Sequence, residues 1–249
     1  MAYHPFRYLS AVGVHVFTAS AAFVGIMSLY KIHQQDYVQA LWWMAAAVFI
    51  DAIDGTFARL VGVQKVLPQI DGALLDNMVD YLNYVITPCF FLLLKSDMLL
   101  PQAQWWVILA ISLSSAYQFT QADAKTSDHF FKGFPCYWNI VVFYLFLFQT
   151  NPWLNTILLF VLSVLIFVPI KYVYPSRLDY LTNSKKLKFL MHTCSVLYGV
   201  SSLLLLATYP NTQTLYLGIS FGYIVLYCTL SLSRTFTRKK AIPAVIYNR

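Results

Sequence analysis

Five aspartates stand between Asp51 and Asp80, although the sequence on both sides of this stretch is apolar. Asp51 and Asp54 are three residues apart, and Asp76 and Asp80 are four apart. These spacings place each pair on one face of an α-helix, so two neighbouring antiparallel helices can turn four carboxylates toward each other. A carboxylate inside hydrocarbon costs about 2.5–3.5 kcal/mol or more. We therefore expect a positive partner between them.

The residue types indicate what that partner is. Carboxylates without histidine or cysteine favour Mg²⁺, Mn²⁺ or Ca²⁺ over zinc, and metal pairs of this kind serve phosphoryl and pyrophosphate chemistry. Gly55, Ala58 and Gly72 leave room for a ligand near the backbone, and Arg59 offers a guanidinium fork for a phosphate. The alternative interpretation is that Asp–Arg pairs only hold the helices together. Asp71 is predicted to cap the N-terminus of a helix.

The composition predicts an all-α integral membrane protein. The 249 residues are 59% hydrophobic and only 11% charged, with a mean hydropathy of +0.61, whereas a soluble globule carries about 25% charge. We expect a single membrane domain over residues 1–249, a bundle of about eight transmembrane helices. The predicted segments are Tyr8–Tyr30, Tyr37–Arg59, Gly72–Lys95, Ala103–Gln121, Pro135–Gln149, Trp153–Tyr172, Leu190–Ala207 and Leu215–Leu232.

Lysine and arginine positions predict the orientation of these segments. If the N-terminus is cytoplasmic and the segments alternate, only Lys31 and Lys95 fall on the far side. This asymmetry follows the positive-inside rule, so the net charge of +7 is explained without a nucleic-acid partner. Both termini and the Arg59–Gly72 connection are expected to be cytoplasmic. The basic residues on that side are Arg7, Arg59, Lys65, Lys125, Lys132, Lys171, Arg177, Lys185, Lys186, Lys188, Arg234, Arg238, Lys239, Lys240 and Arg249.

The aspartates and small residues together resemble the signature of the CDP-alcohol phosphatidyltransferase family. The pattern here is Asp51-x2-Asp54-Gly55-x2-Ala58-Arg59-x12-Gly72-x3-Asp76-x3-Asp80, with all eight family positions present. It occupies residues 51–80, across the second and third predicted segments. Most family members have eight residues between the arginine and the second glycine, whereas this sequence has twelve. The longer spacing and the eight-helix layout are similar to the bacterial subgroup that condenses CDP-diacylglycerol with free choline.

The resemblance implies a metal pair, with Mn²⁺ preferred and Mg²⁺ as the alternative, and a cytidine nucleotide site. The implied metal ligands are Asp51, Asp54, Asp76 and Asp80. The implied nucleotide-site residues are Gly55, Ala58, Arg59 and Gly72, with Arg59 near the phosphates. Asp80 would also be the base toward the acceptor hydroxyl. That hydroxyl would attack the diacylglycerol-bearing phosphate in line, and CMP would leave.

The resemblance also implies partners and a location. CDP-diacylglycerol, choline and membrane lipid are the expected partners, in a bacterial inner membrane with the site facing the cytoplasm. Relatives are often homodimers, so a homodimer is an open expectation. A quaternary ammonium binds to aromatic faces, but aromatic residues at this depth are equally typical of a membrane-interface belt. The candidate choline-binding residues are Tyr81, Asn83, Tyr84, Tyr137 and Trp138.

Three alternatives to a choline acceptor stay open. Serine is an acceptor for other members of the family. The donor and acceptor could also be reversed. The same signature would then bind a soluble CDP-alcohol such as CDP-choline, which donates to diacylglycerol. Outside the family, intramembrane aspartates also occur in ion and proton transporters, but those usually carry polar residues across the whole membrane, whereas here they gather at one end.

Overall fold

A computed structural model of the chain describes residues 5–124, 126, 130–174, 182 and 184–236, and 79% of these residues are helical. Each of the eight predicted segments contains a helix, as the all-α interpretation requires. The helices are α1 Pro5–His33, α2 Tyr37–Val61, α3 Val63–Val66, α4 Gly72–Tyr81, α5 Thr87–Leu94, α6 Gln104–Thr120, α7 Trp138–Phe148, α8 Pro152–Leu165, α9 Lys185–Thr208 and α10 Thr214–Phe236.

The chain is a membrane protein. In the described part of the chain, four helical stretches are long and apolar enough to cross a bilayer, and these are Pro5–His33, Gly72–Leu94, Lys185–Thr208 and Thr214–Phe236. Large apolar side chains also point outward from several helices, for example Phe23, Phe49 and Trp105, each more than 60% exposed. Such a surface is stable in lipid and unfavourable in water. The helices α6, α7 and α8, with 17, 11 and 14 residues, are individually short for a bilayer.

The connection between Arg59 and Gly72 folds into a compact structure on α1. Helix α2 ends at Gly62, which adopts a left-handed conformation with φ 70° and donates its N–H to the Ala58 carbonyl. The short helix α3 follows at once. Its valines, Val63 and Val66, are buried together with residues of the first half of α1. The connection is therefore an anchored structural element, a role that the sequence did not reveal.

A π-helical segment, Leu82–Ile86, joins α4 to α5. Pro88 follows it, and proline has no N–H to donate and clashes with the carbonyl four residues earlier in a regular α-helix. A π turn widens the helix locally and relieves this conflict. The hydroxyl of Thr87 donates a 3.0 Å hydrogen bond to the Leu82 carbonyl and so stabilises the wider turn. The whole stretch remains one helical path, as the sequence predicts for its third segment.

The sixth predicted segment was too long. Helix α8 ends at Leu165, and the residues predicted to continue it instead form β2, Lys171–Val173, which pairs antiparallel with β1, Phe130–Lys132. The segment before β2 contains Pro169, which cannot donate to a helix. Gly133 sits against this turn with φ 81°, and a Cβ there would lie 2.1 Å from the Ile166 carbonyl oxygen. Close backbone contact, rather than continued helix, therefore shapes this end of α8.

The two-stranded ribbon is tied to its surroundings by polar contacts. The backbone N–H groups of Lys171 and Val173 donate to hydroxyl oxygens of α10, Thr235 Oγ1 at 2.9 Å and Ser231 Oγ at 3.1 Å. On the other strand, Lys132 Nζ lies 2.7 Å from Asp123 Oδ2, and this ammonium lowers the pKa of the Asp123 carboxyl from its usual value. The ribbon thus links the helices of the first two thirds of the chain to α10.

Some of the predicted cytoplasmic charges, and both chain termini, lie outside the described residues. These charges are Lys125, Arg177, Arg238, Lys239, Lys240 and Arg249. The two basic residues expected on the far side are described, and each has an acidic partner nearby. Lys31 Nζ lies 3.9 Å from Asp36 Oδ2, and Lys95 Nζ lies 2.7 Å from Asp97 Oδ2.

Candidate active site

Three aspartates from two helices converge. Asp51 comes from the middle of α2, and Asp76 and Asp80 come from successive turns of α4. Each contributes a carboxylate oxygen to a group in which the oxygens lie within 4.8 Å of one another, and all three residues are partly buried. Helical spacing explains the Asp76–Asp80 pair, and packing of α2 near α4 adds the third.

The fourth predicted ligand, Asp54, is not in this group. It is only 5% exposed. Its polar neighbours are Thr18 on α1, the Gly55 backbone and Arg59. The four carboxylates predicted from the sequence are therefore divided in this structure, three at one point and one against α1.

Tyr84 supports the carboxylate group from the π segment. Its hydroxyl donates a hydrogen bond of 2.7 Å to Asp51 Oδ2, and the tyrosine is 7% exposed. A hydrogen bond to an ionised carboxylate is stronger than one between neutral groups and fixes the carboxylate's orientation. The sequence placed Tyr84 in the acceptor pocket and did not reveal this contact with Asp51.

The donor set of the three aspartates fits a hard divalent cation. Mg²⁺ binds oxygen at about 2.0–2.1 Å and Ca²⁺ at about 2.3–2.6 Å, so oxygens that share one ion lie about 3–5 Å apart. The three carboxylate oxygens lie within 4.8 Å of one another, below the upper limit of that range. Their partial burial leaves remaining coordination positions for water or substrate. Without a cation, three neighbouring carboxylates would repel each other, which is a further reason to expect one.

The small residues of the signature have distinct neighbours. A Cβ at Gly55 would lie 3.2 Å from Arg59 Nη1, so the arginine folds back over this glycine, with Nη2 donating to Thr56 Oγ1 at 2.9 Å. A Cβ at Gly72 would lie 3.0 Å from Cε1 of His15. Ala58 instead packs against the cluster formed by α1 and α3. Gly55 and Gly72 thus make room for side chains of this chain.

Asp71 is the N-terminal cap of α4, as the sequence predicts. Its Oδ1 accepts hydrogen bonds from the backbone N–H groups of Ala73 at 3.1 Å and Leu74 at 3.0 Å. These are two of the amide groups that have no partner within the helix. The cap fixes where α4 begins and therefore where Asp76 and Asp80 stand on it.

Three of the five candidate choline-binding residues use their polar groups in helix packing. The Tyr81 hydroxyl donates to the Ser112 carbonyl at 3.0 Å. The buried Asn83 amide donates to the carbonyls of Ala21 and Val79. Trp138 is fully buried, and its Nε1 donates to Ser115 Oγ at 2.8 Å.

Tyr84 and Tyr137, in contrast, begin a chain of aromatic rings that leads away from the carboxylates. Their ring centroids are 6.4 Å apart, Tyr137 is 6.3 Å from Phe131, and Phe131 is 4.4 Å from Tyr174. The chain runs from the π segment to the ribbon. We name these four residues the ring chain.

Two polar side chains of α1, His15 and Thr18, reach the signature and were missed in the sequence. They are three residues apart and therefore share a helix face. Both are at most 8% exposed. The sequence does contain a signal for them, namely two polar residues at helical spacing inside an apolar segment. Buried polar groups in a membrane helix need partners, so this spacing could have predicted that both residues contact other polar groups.

Comparison with known proteins agrees with this geometry. A family model described as CDP-alcohol phosphatidyltransferase matches residues 11–170, from the first turns of α1 to the residue before β2. The chain belongs to the CDP-alcohol phosphatidyltransferase family. It is a phosphatidyltransferase, a transferase of phospholipid biosynthesis.

Relatives in the family extend over most of this phosphatidyltransferase. A phosphatidylcholine synthase of Legionella pneumophila is 63% identical over 230 residues, covering 92% of this chain and 90% of the relative. One of Legionella bozemanae is 60% identical over 215 residues, covering 86% of this chain and 99% of the relative. One of Borreliella burgdorferi is 40% identical over 164 residues, covering 66% of this chain and 70% of the relative. These relatives are bacterial membrane-lipid enzymes by name.

The substitution Asp76→Asn tests the carboxylate group as a cation site. Replacing one charged ligand by a neutral amide should raise the Mn²⁺ concentration for half-saturation by at least about tenfold. Binding is measured by the loss of the free Mn²⁺ electron paramagnetic resonance signal on adding purified protein in detergent. The matched control is Asp97→Asn, an exposed aspartate paired with Lys95, which should leave binding unchanged. Equal Mn²⁺ affinity in both variants would contradict the assignment.

Proposed function

We propose that the protein is a phosphatidylcholine synthase, which transfers the phosphatidyl group of CDP-diacylglycerol to choline and releases CMP. The observation that carries the proposal is that Tyr84 connects the carboxylate group to the ring chain. This residue binds Asp51 of the carboxylate group and begins the ring chain. A centre suited to phosphate chemistry thus stands next to aromatic faces suited to a quaternary ammonium. The names of the relatives support the same substrates.

In the proposed reaction Asp80 accepts the proton of the choline hydroxyl. The choline oxygen forms a bond to the phosphorus that carries diacylglycerol, and the bond from that phosphorus to the CMP oxygen breaks. CMP leaves with the electron pair of the broken bond. Asp51 and Asp76, together with Asp80, would hold a divalent cation, preferably Mn²⁺, which would neutralise charge on the phosphates. Positioning and charge neutralisation dominate this kind of transfer, so no side-chain nucleophile is needed.

Asp54 completes a two-cation site in this proposal. Its carboxylate stands one helical turn from Asp51 and lies beside Thr18. Asp54 would serve as a ligand of the second cation. Arg59 then exchanges its contact with Thr56 for the pyrophosphate, and Gly55 and Gly72 border the nucleotide together with Ala58.

The ring chain is the proposed acceptor site. Tyr84 and Tyr137 stand nearest to the carboxylates, and Phe131 and Tyr174 continue the wall toward the ribbon. A quaternary ammonium over these faces would place the choline hydroxyl toward Asp80. Tyr81, Asn83 and Trp138, whose polar groups are used in packing, support the wall from behind.

The proposed topology has eight spans, with both termini in the cytoplasm of a bacterium and the carboxylates near the cytoplasmic face of its inner membrane. Helices in all eight predicted segments support it, and so does the excess of lysine and arginine on one side. CDP-diacylglycerol then enters from the surrounding lipid, and choline from the cytoplasm. A homodimer remains part of the proposal.

An acceptor panel tests the function directly. Purified protein in detergent receives CDP-diacylglycerol and Mn²⁺ with choline, serine, inositol or glycerol phosphate, and the lipid product and CMP are measured. Choline should give the highest rate, and chelation by EDTA should abolish it. Serine as the better acceptor would establish a phosphatidylserine synthase instead. CMP release from CDP-choline with diacylglycerol would establish the reverse arrangement, and cation flux in vesicles without CMP release would establish a transporter.

The substitution Asp80→Asn separates the base from the other carboxylates. An amide still offers an oxygen to a cation but cannot accept a proton, so turnover should fall by about 10²–10⁴-fold even at saturating Mn²⁺. Raised Mn²⁺ should restore part of the activity of Asp76→Asn and none of the activity of Asp80→Asn. The melting midpoint in detergent shows whether the bundle is intact. Recovery of Asp80→Asn by Mn²⁺ would remove the assignment of a base.

The substitution Tyr137→Leu tests the acceptor site. Loss of one aromatic face, worth about 0.5–2 kcal/mol to a bound cation, should raise the KM for choline by about tenfold. The KM for CDP-diacylglycerol should change by less than about twofold. The control is Tyr30→Leu, which replaces an exposed tyrosine near the C-terminal end of α1. A rise in the KM for CDP-diacylglycerol alone would assign Tyr137 to the donor instead.

A further inference from the structure

His15 of α1 lies buried beside the first turn of α4. It is 8% exposed, and its Nε2 atom is buried without a hydrogen-bond partner among the residues that the structure describes. A Cβ at Gly72 would lie 3.0 Å from Cε1 and 3.6 Å from Nδ1 of the imidazole. The ring therefore occupies the space that a side chain at position 72 would need. A buried polar nitrogen without a partner is costly, so we expect a bound molecule to supply one.

The neighbours of His15 belong to the signature on both helices. Gly72 is four residues before Asp76 and therefore stands on the same face of α4. Thr18, one turn after His15 on α1, lies beside the carboxylate of Asp54 on α2. One face of α1 thus contacts α2 through Thr18 and α4 through His15. The imidazole therefore lies against Gly72 of the second half of the signature, one turn of α1 from the residue beside Asp54 of the first half.

The connection between α2 and α4 fixes this part of α1. Ala11 and Val14, on the turn that carries His15, are buried in one cluster with Val63, Val66 and Leu67 of the connection. Ala11 is fully buried and Val14 is 8% exposed. Apolar burial on this scale holds α1 in place, so the imidazole is positioned before any ligand binds.

We propose that His15 binds the nucleotide of the donor, with Nε2 hydrogen-bonded to an oxygen or ring nitrogen of the cytidine monophosphate group. The identity of this nucleotide rests on the proposed function. Of the proposed substrates, the hydrocarbon tails and the quaternary ammonium offer no hydrogen-bonding atom, and the choline hydroxyl is directed to Asp80. The ester carbonyls of the diacylglycerol group can accept a hydrogen bond, but Gly72, against which the imidazole lies, belongs to the proposed nucleotide site. The nucleotide has phosphate, ribose and base atoms that can complete the imidazole's hydrogen bonds. His15 is thus a nucleotide-binding residue outside the signature.

Binding of CMP to the full-length protein in detergent with Mn²⁺, measured by isothermal titration calorimetry, tests this proposal. His15→Phe keeps a flat ring and removes both nitrogens, so CMP affinity should fall by about tenfold. His15→Gln places an amide near the position of Nε2 and should retain affinity within about threefold. His33→Gln, at the exposed end of the same helix, is the matched control and should bind like the unmodified protein. The KM for CDP-diacylglycerol should rise in His15→Phe, and the KM for choline should not.

The outcomes separate this proposal from the proposed function. Unchanged CMP affinity in a folded His15→Phe protein would overturn the role of His15, even if choline is the acceptor. Weakened CMP binding would support it, even if the acceptor panel selects serine. If His15→Phe does not fold, the test uses nuclear magnetic resonance spectra of the unmodified protein labelled with ¹⁵N-histidine. The His15 signal is assigned as the one that is absent from the spectrum of His15→Gln. A shift of the His15 imidazole signal on adding CMP supports the contact, and no shift overturns it.

Discussion

Repulsion among carboxylates inside an apolar bundle is the constraint on which the rest of this structure depends. Asp51, Asp76 and Asp80 bring their oxygens within 4.8 Å of one another, and their mutual repulsion is offset only by cations and donors. The Tyr84 hydroxyl supplies one donor at Asp51, and Asp54 lies outside the group, beside Thr18. Such a site needs helices held rigidly in place. The cap of α4, the connection between α2 and α4, and the ribbon contacts provide that rigidity outside the site itself.

The sequence predicted the parts that obey local rules. Helical periodicity and apolar length located a helix in each of the eight segments, because those signals depend only on spacing and composition. The cap at Asp71 follows from side-chain chemistry next to a helix start and is confirmed at 3.0 and 3.1 Å. The signature placed Asp76 and Asp80 on one face of α4. All of these are contacts within one element or its first turn.

Features that depend on contact between distant segments could not be predicted in this way. Helix α8 ends shortly before Pro169, which is a local signal, but the approach of Gly133 to Ile166 joins segments more than thirty residues apart in the chain. Pro88 explains the π turn. The residues of that turn do not predict that the Tyr84 hydroxyl contacts Asp51. Asp54 has the spacing of a ligand, yet its contact with Thr18 depends on how α1 packs. The packing contacts of Asn83 and Trp138 depend on neighbouring helices in the same way, since polar residues at a suitable depth can equally satisfy a neighbouring helix.

The twelve-residue connection between Arg59 and Gly72 shows how a spacing can carry chemistry indirectly. Its own residues include no ligand of the carboxylate group. Its length admits the helix α3, and the valines of α3 bury against the turn of α1 that carries His15. A connection too short for α3 would leave that turn of α1 without these apolar contacts. The imidazole would then lose the packing that holds it against Gly72. Loop length and the proposed nucleotide binding by His15 are therefore coupled through the packing of α1, which gives the longer spacing of this signature a physical meaning.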